Sequence, residues 1–206
     1  MYSPEHFRHD DQDDTLRSLI GNAPFATLIS AHEGRAVVTA IPCIMDDSGR
    51  ILGHVARANP HTELLGEGAT AQLLIHGPHC YISPSWYAKP SVPTWNYAMV
   101  EMAVRVEVLQ DDAAQDLLDA LTKRFENPDE AGETAHMDRS ARARLLPAIH
   151  CFALQPLRID TTLKLSQNKS PADQQQIVSR LAQRDDENSQ AIASLMLQQL
   201  AKGFAK

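Results

Sequence analysis

Alternation of apolar and polar positions runs through most of the chain from Phe25 to Gln110, and helical spacing takes over after it. The clearest case is YAMVEMAVRVEVLQ. Met102, Val104, Val106 and Val108 alternate there with Ala103, Arg105 and Glu107, the period of a half-buried strand. FATLISAH and RAVVTAIPCIM flank the hairpin-like connection EGR, and DDSGR leads into ILGHVAR. ATAQLLIHG and CYISPSW read as two more strands on either side of Gly77-Pro78. Strands this short, joined by short turns, predict an antiparallel sheet closed into a small barrel. Helices flank it. Leu16, Leu19 and Ile20 precede Gly21 and Pro24, and NPHTELL forms a short helical insert. DDAAQDLLDALTKRFE has an acidic first turn, carries Leu117, Leu118 and Leu121 on one side, and ends at Asn127-Pro128. A polar loop, DEAGETAHMD, then leads to a short arginine-bearing helix up to Pro147, and CFALQPLRIDTT returns as a strand that completes the barrel. Two helices, from Pro171 to near Arg184 and from Glu187 to near Lys202, close the chain on either side of DDEN. With no repeat and no linker, the economical reading is one domain with a C-terminal helical appendage.

PHCYISPSWYAKPSVPTWNYAMV breaks this pattern. Pro78, Pro84, Pro90 and Pro93 exclude a helix, yet the stretch holds both tryptophans of a chain with only 5% aromatic residues. It predicts extended chain interrupted by a rigid aromatic loop, which is either a lid on the core or the wall of a flat binding site.

Composition narrows the classes. At 206 residues, 43% hydrophobic and 22% charged, the chain is long enough to bury a sizeable core. No apolar run approaches the ~20 residues needed to span a bilayer, so no membrane partner is expected. MYSPEHFRHDDQDD places acidic residues where a leader needs apolar ones, and the cytoplasm is the expected compartment. Cys43, Cys80 and Cys151 are odd in number and far apart, which suits buried small hydrophobes in a reducing environment. The net charge of −7 argues against direct DNA binding. The densest basic stretch, MDRSARARLL, reads as the solvated face of a short helix.

Candidate chemistry sits in two places. In GHVARANPHTELL a strand ends near Arg57, Asn59 is a preferred N-cap, Pro60 suits the first helical position and Glu63 falls in the first turn. A helix start presents unpaired amides, and Arg57 and His61 add donors beside it. The pattern fits a phosphate or carboxylate site; it also fits an ordinary capped helix with a solvated Arg57. In LKLSQNKS, Lys164 and Lys169 suit an anion while Ser166, Gln167 and Asn168 suit the polar edges of a ring, and turn chemistry accounts for them equally well. Hydrolase-elbow, P-loop and dinucleotide fingerprints are absent. His54, His61, His76 and His79 lack H-E-x-x-H spacing, so no metal is expected. His32, His136 and His150 carry no argument from spacing, and no acid-base pair of carboxylates stands out.

MYSPEHFRHDD, LGHVARANPH, YISPSWY, VPTWNY and KLSQNK, in this order, resemble the PaiB-type proteins, FMN-binding negative transcriptional regulators. The resemblance runs from residue 1 to residue 169. It implies a mainly β, α+β fold: a six-stranded antiparallel split β-barrel with peripheral helices over residues 1–170, with the helices of 171–206 packed on the same domain. It also implies a homodimer with FMN at the interface. By this similarity Thr39, Val55, Ala56, Arg57, Asn59 and His61 line the phosphate and ribityl side of FMN. Trp86, Trp95 and Asn96 form a rigid wall near the ring, where a flat apolar body with polar edges suits stacking and a few fixed donors. Lys164, Ser166, Gln167 and Asn168 approach on a loop that either subunit can supply. The leading reading is a cytoplasmic homodimeric FMN protein that regulates indirectly. Its rivals are a flavin-dependent oxidoreductase, in which FMN performs the redox step, and a cofactor-free interaction module.

Overall fold

The computed structural model describes Pro4, Phe7 and residues 17–21, 24–89, 91–126 and 138–203. Most of MYSPEHFRHDD, Leu16, the stop signal Asn127-Pro128 and nearly all of the polar loop after it lie outside the described residues.

Six strands form: β1 (Phe25–His32), β2 (Arg35–Met45), β3 (Ile51–Ala56), β4 (Thr70–Ile82), β5 (Thr94–Leu109) and β6 (Ile149–Lys164). They close in the order β1-β2-β3-β6-β5-β4, which is the expected barrel. Residues 17–21 are helical and belong to α1. The other helices are α2 (Asp111–Phe125), α3 (Arg139–Ala143), α4 (Pro171–Ala182) and α5 (Glu187–Gly203). Two differences from the sequence reading stand out. ATAQLLIHG and CYISPSW are one strand, β4, which passes through Gly77-Pro78. The ladder to β1 pairs Ala26–Ile29 with Gln72–Ile75 and stops before Pro78, so the missing proline amide costs that ladder nothing. β5 begins at Thr94 rather than Tyr97, which makes Trp95 a strand residue.

The chain divides into two compact units. One comprises Leu16–Ile75 and Glu101–Ile159. Its β1–β2 hairpin turns on Glu33 and Gly34, both at positive φ (49° and 74°), between the paired His32 and Arg35. That is the turn geometry whose twist matches the strands. Leu28, Ile41, Ile51, Val55, Leu73, Met102, Val104, Phe152 and Leu154 are buried, and each such side chain contributes roughly 1.5–3 kcal/mol through burial. Gly53 is in this core because a Cβ there would meet the Pro42 carbonyl oxygen at 3.3 Å and the Phe152 ring at 3.4 Å. Helix α2 lays Ala114, Leu117 and Leu121 against Cys151, with Ile44 and Leu52 beside them. Its outer carboxylates meet α3: Arg139 bonds Asp112 and Asp116 at 3.0 Å each, and Arg142 pairs with Asp119. Arg139 and Arg142, from the chain's densest basic stretch, are therefore neutralised within the molecule.

The other unit comprises Met1–Thr15, His76–Val100 and Asp160–Lys206. Here α4 and α5 pack on each other, burying Ile177 and Leu181 from the first and Ile192, Ala193 and Met196 from the second. Among the described residues no helix is long and apolar enough to cross a membrane.

Candidate functional site

Residues 55–61 form the end of β3 and the start of a 3-10 turn, Pro60–Leu64. The cap read from the sequence is present: Asn59 Oδ1 accepts from the His61 amide at 3.0 Å. The turn is a 3-10 helix of five residues, so it offers less aligned backbone than a full helix start. Thr39 is its hub. Asn59 Nδ2 donates to Thr39 Oγ1 at 3.3 Å, and His61 Nδ1 lies 2.9 Å from the same oxygen. His61 Nε2 sits 2.9 Å from Ser30 Oγ, and the ring is wholly buried. Burial pushes its affinity for a proton below the ordinary histidine value. His61 thus orients Thr39 and is not available to a ligand.

Arg57 behaves differently. Its amide donates to the Ala148 carbonyl at 2.8 Å, which fixes the backbone, while the side chain is exposed. The guanidinium Nη1 lies 3.4 Å from His150 Nδ1, and His150 Nε2 lies 2.8 Å from the Leu65 carbonyl oxygen. A carbonyl only accepts, so His150 carries its proton on Nε2 and offers the Nδ1 lone pair to Arg57. One nitrogen of the guanidinium is tethered, and its other N–H groups have no partner among the described residues. Val55 is buried opposite His150 in the β3–β6 register and Ala56 pairs with Ile149; these two carry the strand that ends in Arg57.

The aromatic segment belongs to the other unit. Ser83 caps the 3-10 turn Pro84–Trp86 by accepting from the Ser85 amide, the same cap-then-proline device as Asn59-Pro60. Trp95 is 53% exposed on β5. Tyr81 meets it edge-on at 6.0 Å between ring centroids, and His79 lies at 6.2 Å. The loop is pinned by α4 and by the chain just before and just after it. Arg184 lies over the Trp86 ring at 4.8 Å and Lys169 over the Tyr87 ring at 4.6 Å. Ala88 donates its amide to Asp173 Oδ1 at 2.9 Å, and this bond holds the Asp173 carboxyl below the usual carboxylate range.

KLSQNK follows β6 in the same unit. Asn96 is wholly buried, accepting from Ser166 Oγ at 3.0 Å and donating towards Met196 Sδ at 3.4 Å. Ser166 adopts a left-handed φ of 62°. Gln167 accepts from the Leu165 amide and donates to the Leu163 carbonyl, so both ends of its carboxamide bind its own loop. Asn96, Ser166 and Gln167 shape the loop, and Asn168 is exposed on it. Lys164 is half-buried, with Nζ 2.6 Å from Thr94 Oγ1 and 6.0 Å from the Tyr97 ring centre. Burial lowers the proton affinity of its amine.

Each unit, taken by itself, carries chemistry that suits one part of an FMN molecule. A tethered but exposed guanidinium with a hydroxyl and an amide nearby suits a phosphate monoester. An exposed tryptophan beside Tyr81 suits a flat ring. Among the described residues no cluster of His, Cys, Asp and Glu suits a metal ion. Sequence reasoning missed two contributors, His150 and Ser30, whose roles exist only through partners far away in the chain.

Residues 1–158 match the family described as "Putative FMN-binding domain". The chain is 29% identical over 206 residues to the Protease synthase and sporulation protein PAI 2 of Bacillus subtilis (strain 168), covering 98% of this chain and 99% of that one. Among solved structures, the FAD and heme binding protein from Mycobacterium smegmatis superposes with a TM-score of 0.61 at 23% identity, over 78% of this chain and 75% of that one. The flavocytochrome Anf3 from Azotobacter vinelandii does so at 0.62 and 17% identity, over 92% of this chain and 78% of that one. At these identities the two structures speak to fold alone. The family match over most of the chain, together with the full-length likeness to PAI 2, establishes that this protein belongs to the FMN-binding domain family and is of the PaiB type.

Proposed function

We propose that this protein is a cytoplasmic homodimer that binds FMN and takes part in negative transcriptional control through its flavin or a protein partner, not through direct operator contact. The observation that carries the reading is Arg57, an exposed cation tethered by His150 and standing beside the capped Asn59 turn. Arg57, Asn59 and Thr39 take the phosphate side, and His61 holds the Thr39 hydroxyl in place. Trp95 and Trp86 cover the ring, and the loop shaped by Asn96, Ser166 and Gln167 presents Lys164 and Asn168 to its polar edge. Residues 1–170 act as the flavin domain, and 171–206 belong to it by fixing the aromatic loop. FMN supplies the redox chemistry when bound, and the protein supplies binding, orientation and electrostatics. A net charge of −7 opposes close approach to a polyanion, which favours indirect regulation.

The test is an FMN titration of the purified protein followed on a sizing column. Flavin absorbance that co-elutes with a dimer supports the reading, and a monomer indifferent to FMN overturns it. NAD(P)H or pyridoxamine phosphate turnover by the loaded protein would reassign it to the oxidoreductases.

A further inference from the structure

A cleft of 460 Å³ opens where the start of α2 faces the chain between α3 and β6, within the ~300–1,000 Å³ range of small-molecule sites. Leu109, Leu146, Pro147 and Ile149 give it an apolar wall, and Arg57, Asp111 and Gln115 give it polar groups. The polar groups are unevenly used. Among the described residues the Arg57 side chain hydrogen-bonds only His150. Asp111 is exposed and makes no ion pair with another described residue, whereas Asp112, Asp116 and Asp119 on the same helix are bound by Arg139 and Arg142. Gln115 has a buried carboxamide oxygen without a hydrogen-bond partner among the described residues. Asp111 also adopts a left-handed φ of 46°, a conformation that costs energy in a non-glycine residue and gathers at binding sites.

We propose that this cleft binds a small zwitterion with an apolar body, the chemistry of a free apolar amino acid or a short apolar peptide. The carboxylate meets Arg57, the ammonium meets Asp111, and the Gln115 carboxamide gains a hydrogen bond by turning its oxygen to the same ammonium. The alkyl body lies on Leu109, Leu146, Pro147 and Ile149. A ligand with only one charge leaves either Arg57 or Asp111 unanswered, which is why the site selects both charges at once. The site shares Arg57 with the flavin reading and otherwise stands apart from it, since Asp111, Gln115 and the apolar wall have no part in holding FMN.

Calorimetric titration of the full chain tests this with L-leucine and L-leucyl-L-leucine, and with 3-methylbutylamine and 4-methylpentanoate as single-charge analogues. At least one zwitterion binds, and both analogues bind at least about tenfold more weakly. Asp111→Asn, which tolerates the same backbone, weakens the zwitterion by about tenfold or more, and Ala143→Leu fills the cleft and blocks it. Both variants keep the FMN affinity of the parent protein. Failure of both zwitterions to bind, equal binding of zwitterion and analogues, or unchanged zwitterion affinity in both variants overturns the proposal. Leucine binding in a protein that ignores FMN would overturn the flavin reading and leave this one standing.

Discussion

Replacing Arg57 and His150 singly and together tests whether the tethered guanidinium grips a phosphate. Arg57→Ala removes a charge-assisted contact, a class worth about 1.5–3 kcal/mol. Because the side chain is exposed, solvent screening favours the lower end, and FMN should bind roughly tenfold more weakly. His150→Phe keeps a ring at the start of β6 but removes the acceptor 3.4 Å from Arg57 Nη1. The freed arginine must then be ordered by FMN itself. Fixing an arginine fully costs up to ~2 kcal/mol, and one long contact pre-orders only part of it, so a loss of about threefold is expected. His150 acts on FMN only through Arg57, so His150→Phe should change almost nothing in the Arg57→Ala background. Quenching of FMN fluorescence on titration with the apoprotein gives the dissociation constants for all four proteins. Thermal unfolding supplies an independent readout. The Leu65 carbonyl loses its donor in His150→Phe, about 1 kcal/mol, and the midpoint should drop by roughly 2–4 °C. Additive effects of the two substitutions on FMN affinity would refute the tether, and wild-type affinity in Arg57→Ala would remove the phosphate site altogether.

Other outcomes follow from the same structure. Burial holds His61 below its ordinary value, so as pH falls the unfolded chain takes up the proton first; stability is complete above about pH 6.5 and declines below it. His54 has the same sign, so His61→Gln should remove part of the acid slope in a thermal-melt series from about pH 8 to 5, and an unaltered slope would contradict the argument. Gly53→Ala drives a Cβ to 3.3 Å from the Pro42 carbonyl oxygen and should cost ~1–3 kcal/mol in urea unfolding; a neutral substitution would mean that the strand shifts freely. Burial pushes the Cys43 thiol up to about 12 and those of Cys80 and Cys151 up to about 11. Ellman's reagent near pH 8 should therefore label them only after denaturation, and rapid labelling of the folded protein would show that they are not sealed.

Most of the strands were legible because period-two alternation is a local property, as in Met102, Val104 and Val106, all buried on one face of β5. The Asn59-Pro60 cap was legible for the same reason. Gly77-Pro78 misled because a breaker is local whereas a ladder is not: pairing with β1 ends before the proline, and nothing in the neighbouring sequence says so. The candidate site split along the same line. Arg57 is exposed and half-tethered, as a ligand-binding group would be, but His61, Asn96, Ser166 and Gln167 spend their polar atoms inside the protein. His150 stayed invisible because its partner lies 93 residues away, and the β3–β6 register alone brings the two together.

Position 166 shows how narrow the choice at a motif residue becomes. Its backbone sits at φ 62°, where glycine is the easiest occupant, yet its hydroxyl is the donor that answers a buried carboxamide on Asn96. A glycine would relax the chain and orphan the amide, and a β-branched replacement such as threonine would keep the hydroxyl only by worsening the dihedral. Serine is the small compromise that meets both demands, so drift in this loop is confined by two pressures that pull in opposite directions.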